Sequence, residues 1–351
     1  MMVNVKLKMS VFFIVFMLIL AGCGGGAATS GESEDQGEAT TTEETASGDE
    51  AEASADATDA AATGPITIEH NKGETTLDKP AERVVVLEWS FTENLLALGV
   101  QPVGNADSEA FPLWVATEEP LGEDVTDVGT RAEPNLETIA SLQPDLIISL
   151  DSSHDAVYDQ LNAIAPTLQF KATGSDLNAY DYSIEVFNKI AKAVGKTEAA
   201  ETYLAELQQT YDDAKATLEE AGKAGLPYVI TQAFTSQNSA SLRLFNQDAH
   251  IVQTLENIGL ENEWVTDEYI DWGFTTSTVE ALPAIQDTNL IYIVQDDDNV
   301  FETTLKGNSI WEGLNFVKEG RTYQIDGSTW TFGGPTSSKF LVERVVEALT
   351  Q

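Results

Sequence analysis

Five arginines, Arg83, Arg131, Arg243, Arg321 and Arg344, stand in a chain of 351 residues that carries 58 Asp and Glu and a formal net charge of −40. A guanidinium presents paired donors in a planar fork and stays charged at any working pH, so it suits the oxygens of a carboxylate or chelate. Arg131 falls in a loop before a helix. Arg243 lies in the strand-like Ser241-Leu242-Arg243-Leu244-Phe245, where ligand contact and surface pairing fit equally. Indoles are the second resource. Trp272 precedes Gly273-Phe274-Thr275-Thr276, and Trp330 sits between a strand end and the Gly333-Gly334 turn. Loop tryptophans outside a periodic core stripe are suited to binding; Trp264 and Trp311 read as packing. Metal ligation by the protein has no basis, because His70, His154 and His250 are scattered and Cys23 is the only cysteine. Asp296-Asp297-Asp298-Asn299 lacks the ligand spacing of a calcium loop and reads as a solvated strand end. No Gly-x-Ser-x-Gly elbow, phosphate loop or His-Glu-x-x-His occurs, so the chemistry is recognition and the chain is not an enzyme.

These groups need a scaffold. Residues 83–87 (RVVVL), 145–150 (DLIISL) and 167–170 read as buried strands, alternating with helices at 92–98, closed by Gly99, at 136–142 and at 155–164. A long helix follows, capped by Thr197. Ala200, Tyr203, Leu204, Leu207, Tyr211, Ala214, Leu218 and Ala221 share one of its faces, and 198–221 would span ~36 Å. The alternation then restarts with strands at 227–234, 289–295 and 321–325 and helices at 250–258, 278–285 and 337–349. The expected fold is α/β, with mostly parallel sheets in two lobes and a cleft between them. Short echoes support two related halves: Glu137-Thr-Ile-Ala-Ser-Leu-Gln143 before one strand and Glu280-Ala-Leu-Pro-Ala-Ile-Gln286 before another.

Ahead of the lobes, Lys6 and Lys8 flank an apolar run, 11–20, that is too short to cross a bilayer. Leu20-Ala21-Gly22-Cys23 resembles the bacterial lipobox, which implies a diacylglyceryl group on Cys23 and attachment to the cell membrane on its extracytoplasmic face. Residues 24–64 contain Gly, Ala, Ser, Thr, Glu and Asp but no Lys, Arg or aromatic residue, and are expected to form a disordered acidic tether. The expected division is a leader at 1–22, lipidated cysteine and tether at 23–64, an N-terminal lobe at 65–182, a bridging helical segment at 183–224 and a C-terminal lobe at 225–351. So negative a surface excludes nucleic acid and leaves the lipid as the only membrane contact.

From residue 66 to the end the chain is similar to the substrate-binding proteins of iron-siderophore ABC importers, particularly the ferric hydroxamate and ferric citrate binders. Val85-Val86-Leu87-Glu88-Trp89 with Asn94-Leu95-Leu96-Ala97-Leu98-Gly99-Val100, then Val128-Gly129-Thr130-Arg131-Ala132-Glu133-Pro134-Asn135-Leu136-Glu137, then Gln143-Pro144-Asp145-Leu146-Ile147-Ile148, and finally Trp330-Thr331-Phe332-Gly333-Gly334-Pro335 carry the likeness. The resemblance implies two Rossmann-like lobes joined by a long bridging α-helix, as in helical-backbone metal-receptor binding proteins, and a monomer holding a ferric siderophore in a shallow cleft. It implies ligand contact for Arg131, Trp272, Trp330 and Trp114; Arg243 and, just after the first strand, Trp89 are further candidates by their own place in the sequence. It also implies that Glu137 and Glu280 meet arginines of the ABC permease, beside their ordinary place as first-turn helix acids. The iron arrives already chelated, so no protein ligand to metal and no resident cofactor is expected beyond the lipid.

One departure concerns the loop after the 145–150 strand. Ferric citrate relatives carry a basic residue there and hydroxamate relatives an aromatic one, whereas this chain has Asp151-Ser152-Ser153-His154. His154 is expected to cap the following helix or face solvent, with donation to the ligand as the alternative. A hydroxamate or mixed hydroxamate-carboxylate siderophore is the expected cargo, and few bases are present to balance a strongly anionic catecholate. The alternatives are a ferric citrate, haem or cobalamin binder of the same fold, or a surface protein that senses or sequesters iron-siderophore without transport.

Overall fold

The computed structural model describes residues 64–172 and 177–351. Cys23, the expected leader and all but the last residue of the expected tether lie outside the described residues. The first described element is a hairpin of strands β1, Ile66–His70, and β2, Gly73–Leu77. The first sheet contains β3, Val84–Val86, β4, Gly104–Asn105, β5, Thr126–Asp127, β6, Leu146–Leu150, and β7, Thr167–Phe170, in the order β5-β4-β3-β6-β7, all parallel. β3, β6 and β7 are buried at every residue, as apolar runs covered on both faces by helices must be. Phe91, Leu95, Val186, Phe187 and Ile190, from helices Trp89–Ala97 and Ala179–Ala193, cover one face. Ile139 and Leu161, from Leu136–Ser141 and Tyr158–Ile164, cover the other.

The second sheet is mixed, which corrects the expectation of a mostly parallel one. Its strands are β8, Pro227–Ser236, β9, Ser239–Phe245, β10, Glu261–Asn262, β11, Phe274–Ser277, β12, Asn289–Val294, and β13, Thr322–Asp326. The order is β11-β9-β8-β12-β13, with β10 beside β8. β12 runs parallel to β8 and β13, while β8, β9 and β11 are antiparallel neighbours. Gln237 and Asn238 both take positive φ, 49° and 62°, the two-residue geometry whose twist suits a hairpin. Gln-Asn is a weaker turn signal than Asn-Gly, so the hairpin was not legible as one.

The bridging helix is Thr197–Glu220, and Lys196 rather than Thr197 occupies its N-cap, with no side-chain bond there. Thr197 already lies inside the first turn. Ala200 and Tyr203 join the core of the first lobe, whereas Leu207, Tyr211, Ala214 and Leu218 join that of the second. Leu204 packs against both cores, and Ala221, expected on the same face, is exposed at the C-cap. One continuous apolar face thus serves two cores and sets the distance between them.

Two further expectations change. Residues 279–285 form a 3₁₀ helix with Pro283 inside it instead of an α-helix, because proline removes a backbone donor. Asp298 is no mere solvated strand end: it accepts from Thr235 N (2.7 Å) and Thr235 Oγ1, tying the turn after β12 to β8.

Candidate ligand-binding cleft

Each side chain of the cleft is placed by an identifiable local device. Glu88 lies two residues beyond β3 and caps helix Trp89–Ala97, its carboxylate accepting from Trp89 N at 3.0 Å. Trp89 is therefore the first residue of that helix and not a loop residue. It is buried, its Nε1 donates to Ala106 O (3.1 Å), and its ring meets Trp330 edge-on at 5.3 Å. Trp330 Nε1 donates to Ser90 Oγ (3.2 Å), and Ser90 Oγ donates to Phe332 O (2.8 Å), so the two lobes share this aromatic floor.

Trp272 reaches the same floor by backbone strain. Its φ is +65°, which non-glycine residues rarely adopt, and Gly273 follows with the same φ. A Cβ at Gly273 would overlap the backbone of Ala249, so only glycine completes this turn. Trp272 then meets Phe332 edge-on at 5.2 Å and packs on the core of the first lobe, although its chain segment belongs to the second sheet.

The two cleft arginines are held differently. Arg131 Cζ lies 3.6 Å from the centre of the Trp89 ring, Nη1 is 3.2 Å from Glu88 Oε1 and Nε is 3.5 Å from Asp107 Oδ2. Its backbone is clamped too, N donating to Asp107 Oδ2 at 2.8 Å. Arg243 stands on β9 opposite Gln232 of β8, and Nη1 donates to Gln232 Oε1 at 2.8 Å. Phe234, Phe274 and Phe332 surround its guanidinium at 5.0, 5.1 and 5.8 Å. Among the described residues no carboxylate pairs with Arg243, so of its two sequence readings surface pairing falls away. Burial lowers its pKa, because the charge has left water without a counter-charge.

His154 meets one sequence expectation in position only and departs from the other. It stands at the N-cap position of the 3₁₀ turn Asp155–Val157 without a side-chain capping bond there, and it does not meet solvent: it is fully buried, Nδ1 accepting from Leu150 N (3.0 Å) and Nε2 lying 2.7 Å from Arg131 O. With Nδ1 accepting, Nε2 carries the proton and donates to that carbonyl. Desolvation lowers its pKa, which keeps the ring in the neutral form this clamp requires. The ring holds the Arg131 loop to the end of β6.

Arg131, Trp272, Trp330, Trp114, Arg243 and Trp89 all line one cleft of about 500 Å³. Glu88, Gln232, Phe234, Phe274 and Phe332 complete it, and sequence reasoning had not picked them. Two signals were available. Gln232 and Phe234 are two apart on one strand and so share a face, and Phe332 lies two residues beyond Trp330. Glu137 and Glu280 are exposed first-turn residues of Leu136–Ser141 and Val279–Ile285, one on each lobe. Thr278 Oγ1 bonds to Glu280 and thereby lowers the Glu280 pKa. Among the described residues no group of three or more His, Cys, Asp or Glu could hold a metal ion. No described helix is long and apolar enough to cross a membrane.

Two lobes bridged by one helix surround an indole-lined cleft, and residues 84–329 match the family described as periplasmic binding protein. The chain belongs to that family. Its members are binding proteins and not enzymes. This periplasmic binding protein is 32% identical over 283 residues to the Fe(3+)-citrate-binding protein YfmC of Bacillus subtilis, covering 80% of this chain and 84% of the relative. It is 26% identical over 290 residues to the iron(3+)-hydroxamate-binding protein FhuD of Escherichia coli, covering 83% and 94%. Among solved structures it resembles the siderophore-binding protein FhuD from Vibrio cholerae with Fe3+-Desferal bound, with a TM-score of 0.69 and 28% identity over 77% of this chain and 98% of that one.

Proposed function

We propose that this protein is a lipid-anchored extracytoplasmic receptor that captures a ferric siderophore of hydroxamate or mixed hydroxamate-carboxylate type and delivers it to an ABC permease for iron uptake. The observation that carries the reading is Arg243, a half-buried cation walled by three phenylalanines and, among the described residues, partnered only by a neutral amide. An isolated charge removed from water costs free energy until an anionic oxygen meets it, and the iron-bound oxygens of a chelate are such acceptors. Trp89, Trp114, Trp272 and Trp330 offer flat apolar surface to the organic shell of the same ligand. The relatives that bind Fe(3+)-citrate and iron(3+)-hydroxamate support a ferric chelate as cargo. Lipidation of Cys23, a monomeric state and docking of Glu137 and Glu280 on the permease belong to the same proposal.

Tryptophan fluorescence decides the ligand class, because four indoles line the cleft. Titration with ferric desferrioxamine, ferric aerobactin, ferric citrate, haem and cobalamin is expected to show quenching by the ferric chelates. Quenching by haem or cobalamin alone would overturn the proposal. Ferric citrate is kept as a second reading on one observation: the Fe(3+)-citrate-binding protein YfmC is 32% identical over 283 residues.

A further inference from the structure

Glu88 is a carboxylate inside a cleft whose other polar groups favour anions, and its position distinguishes the two arginines. It is 7% exposed, and one oxygen, Oε1, accepts from both Trp89 N and Arg131 Nη1. Asp107 Oδ2 approaches Arg131 from another side, at 3.5 Å from Nε. The Arg131 charge is thus matched twice within its own lobe, while among the described residues Arg243 faces only Gln232 and aromatic rings. Two uncompensated guanidinium groups would make a trap for multiply charged anions. One compensated and one bare group make a site of low net charge.

We infer that Glu88 is the specificity-determining residue that sets the charge of the ferric chelate the cleft accepts, admitting chelates near neutrality and discriminating against strongly anionic ones. This rests on the reading of the cleft as a ferric-chelate site. An anion placed against Arg131 lies within a few ångströms of the Glu88 carboxylate, and repulsion between unit charges at that range in a partly dehydrated cleft alters affinity by tenfold or more. A ligand whose hydroxamates cancel the charge of the iron pays no such cost. Mutually pairing charges also fix the Arg131 fork in one orientation over Trp89, so the same residue positions the donor and limits what it attracts.

The test compares two probes of opposite charge on the full protein. Ferric desferrioxamine carries one ammonium tail on an otherwise neutral complex, and ferric citrate is anionic. Glu88→Gln keeps an acceptor for Trp89 N and removes the charge. It is expected to shift the ratio of the two dissociation constants at least about tenfold toward ferric citrate at low salt, with the shift shrinking as salt is added. Glu88→Asp, which keeps the charge, is expected to restore the parental ratio. An equal weakening of both probes in Glu88→Gln would overturn the inference, since it would mean that Glu88 only holds Arg131. An unchanged ratio with unchanged affinities would overturn it as well. A parent protein that binds neither probe overturns the chelate reading itself and this inference with it.

Discussion

A half-buried guanidinium without a carboxylate opposite it weakens the empty protein and strengthens the complex. Arg243→Ala is therefore expected to lower affinity for the ferric chelate about 10- to 100-fold, the value of one or two hydrogen bonds from a charged donor, while the melting temperature stays level or rises. Fluorescence titration and thermal melting measure the two effects. Unchanged affinity with a lowered melting temperature would make Arg243 a packing residue. At this scale sequence reading found the scarce groups, because five arginines in an acidic chain and indoles beside glycine-rich turns are conspicuous. It did not find Glu88, one acid among 58 Asp and Glu, nor the placement of His154. Only contact with Arg131 distinguishes either residue, and contact depends on loops brought together by folding.

Two helices from different lobes meet at Glu93. This residue of Trp89–Ala97 is fully buried and accepts from Gly334 N and Ser337 Oγ at the start of Pro335–Thr350, where a helix N-terminus favours negative charge. Gly333 and Gly334 let the chain approach so closely that a side chain at either would press on Ser337, Glu93 or Asn94. Burial nevertheless raises the Glu93 pKa from 4.5 to about 7. Between those values the folded state holds a proton that the unfolded chain has released, so stability falls as pH rises through that window and stays lower above it. His250, buried against Ser338 of the same C-terminal helix, has its pKa lowered from 6.5 to about 4. There the unfolded chain holds the extra proton, so stability rises with pH across nearly the same window. The two slopes oppose each other in the parent. Glu93→Gln, which can still accept from Gly334 and donate to Ser337, removes one of them. At pH 8 it is expected to be more stable than the parent by on the order of 3 kcal/mol, with the difference vanishing near pH 4. Urea unfolding at both pH values checks this, and parallel curves for parent and variant would rule it out. Strands and helices were largely legible here, since DLIISL and NLIYIV are apolar runs of strand length. The β8–β9 hairpin was not, because its turn carries no glycine.

At the scale of the whole molecule the bridging helix sets the separation of the lobes, and Glu137 and Glu280 are carried one on each. If they are the feet on which the receptor stands on its permease, Glu137→Lys or Glu280→Lys abolishes iron uptake by cells while the fluorescence-measured affinity remains that of the parent. Loss of affinity in step with uptake would count against docking. Charge, the absence of catalytic and metal motifs, most of the strands and the family likeness were set down in the order of residues, because apolar period and residue type act locally. Which arginine is compensated, which histidine is a clamp, and that a mixed second sheet lends Gln232 and Arg243 to one wall were decided only by the tertiary structure. Electrostatic partnership and burial depend on distances of a few ångströms between residues far apart in the chain, and no local pattern encodes those distances.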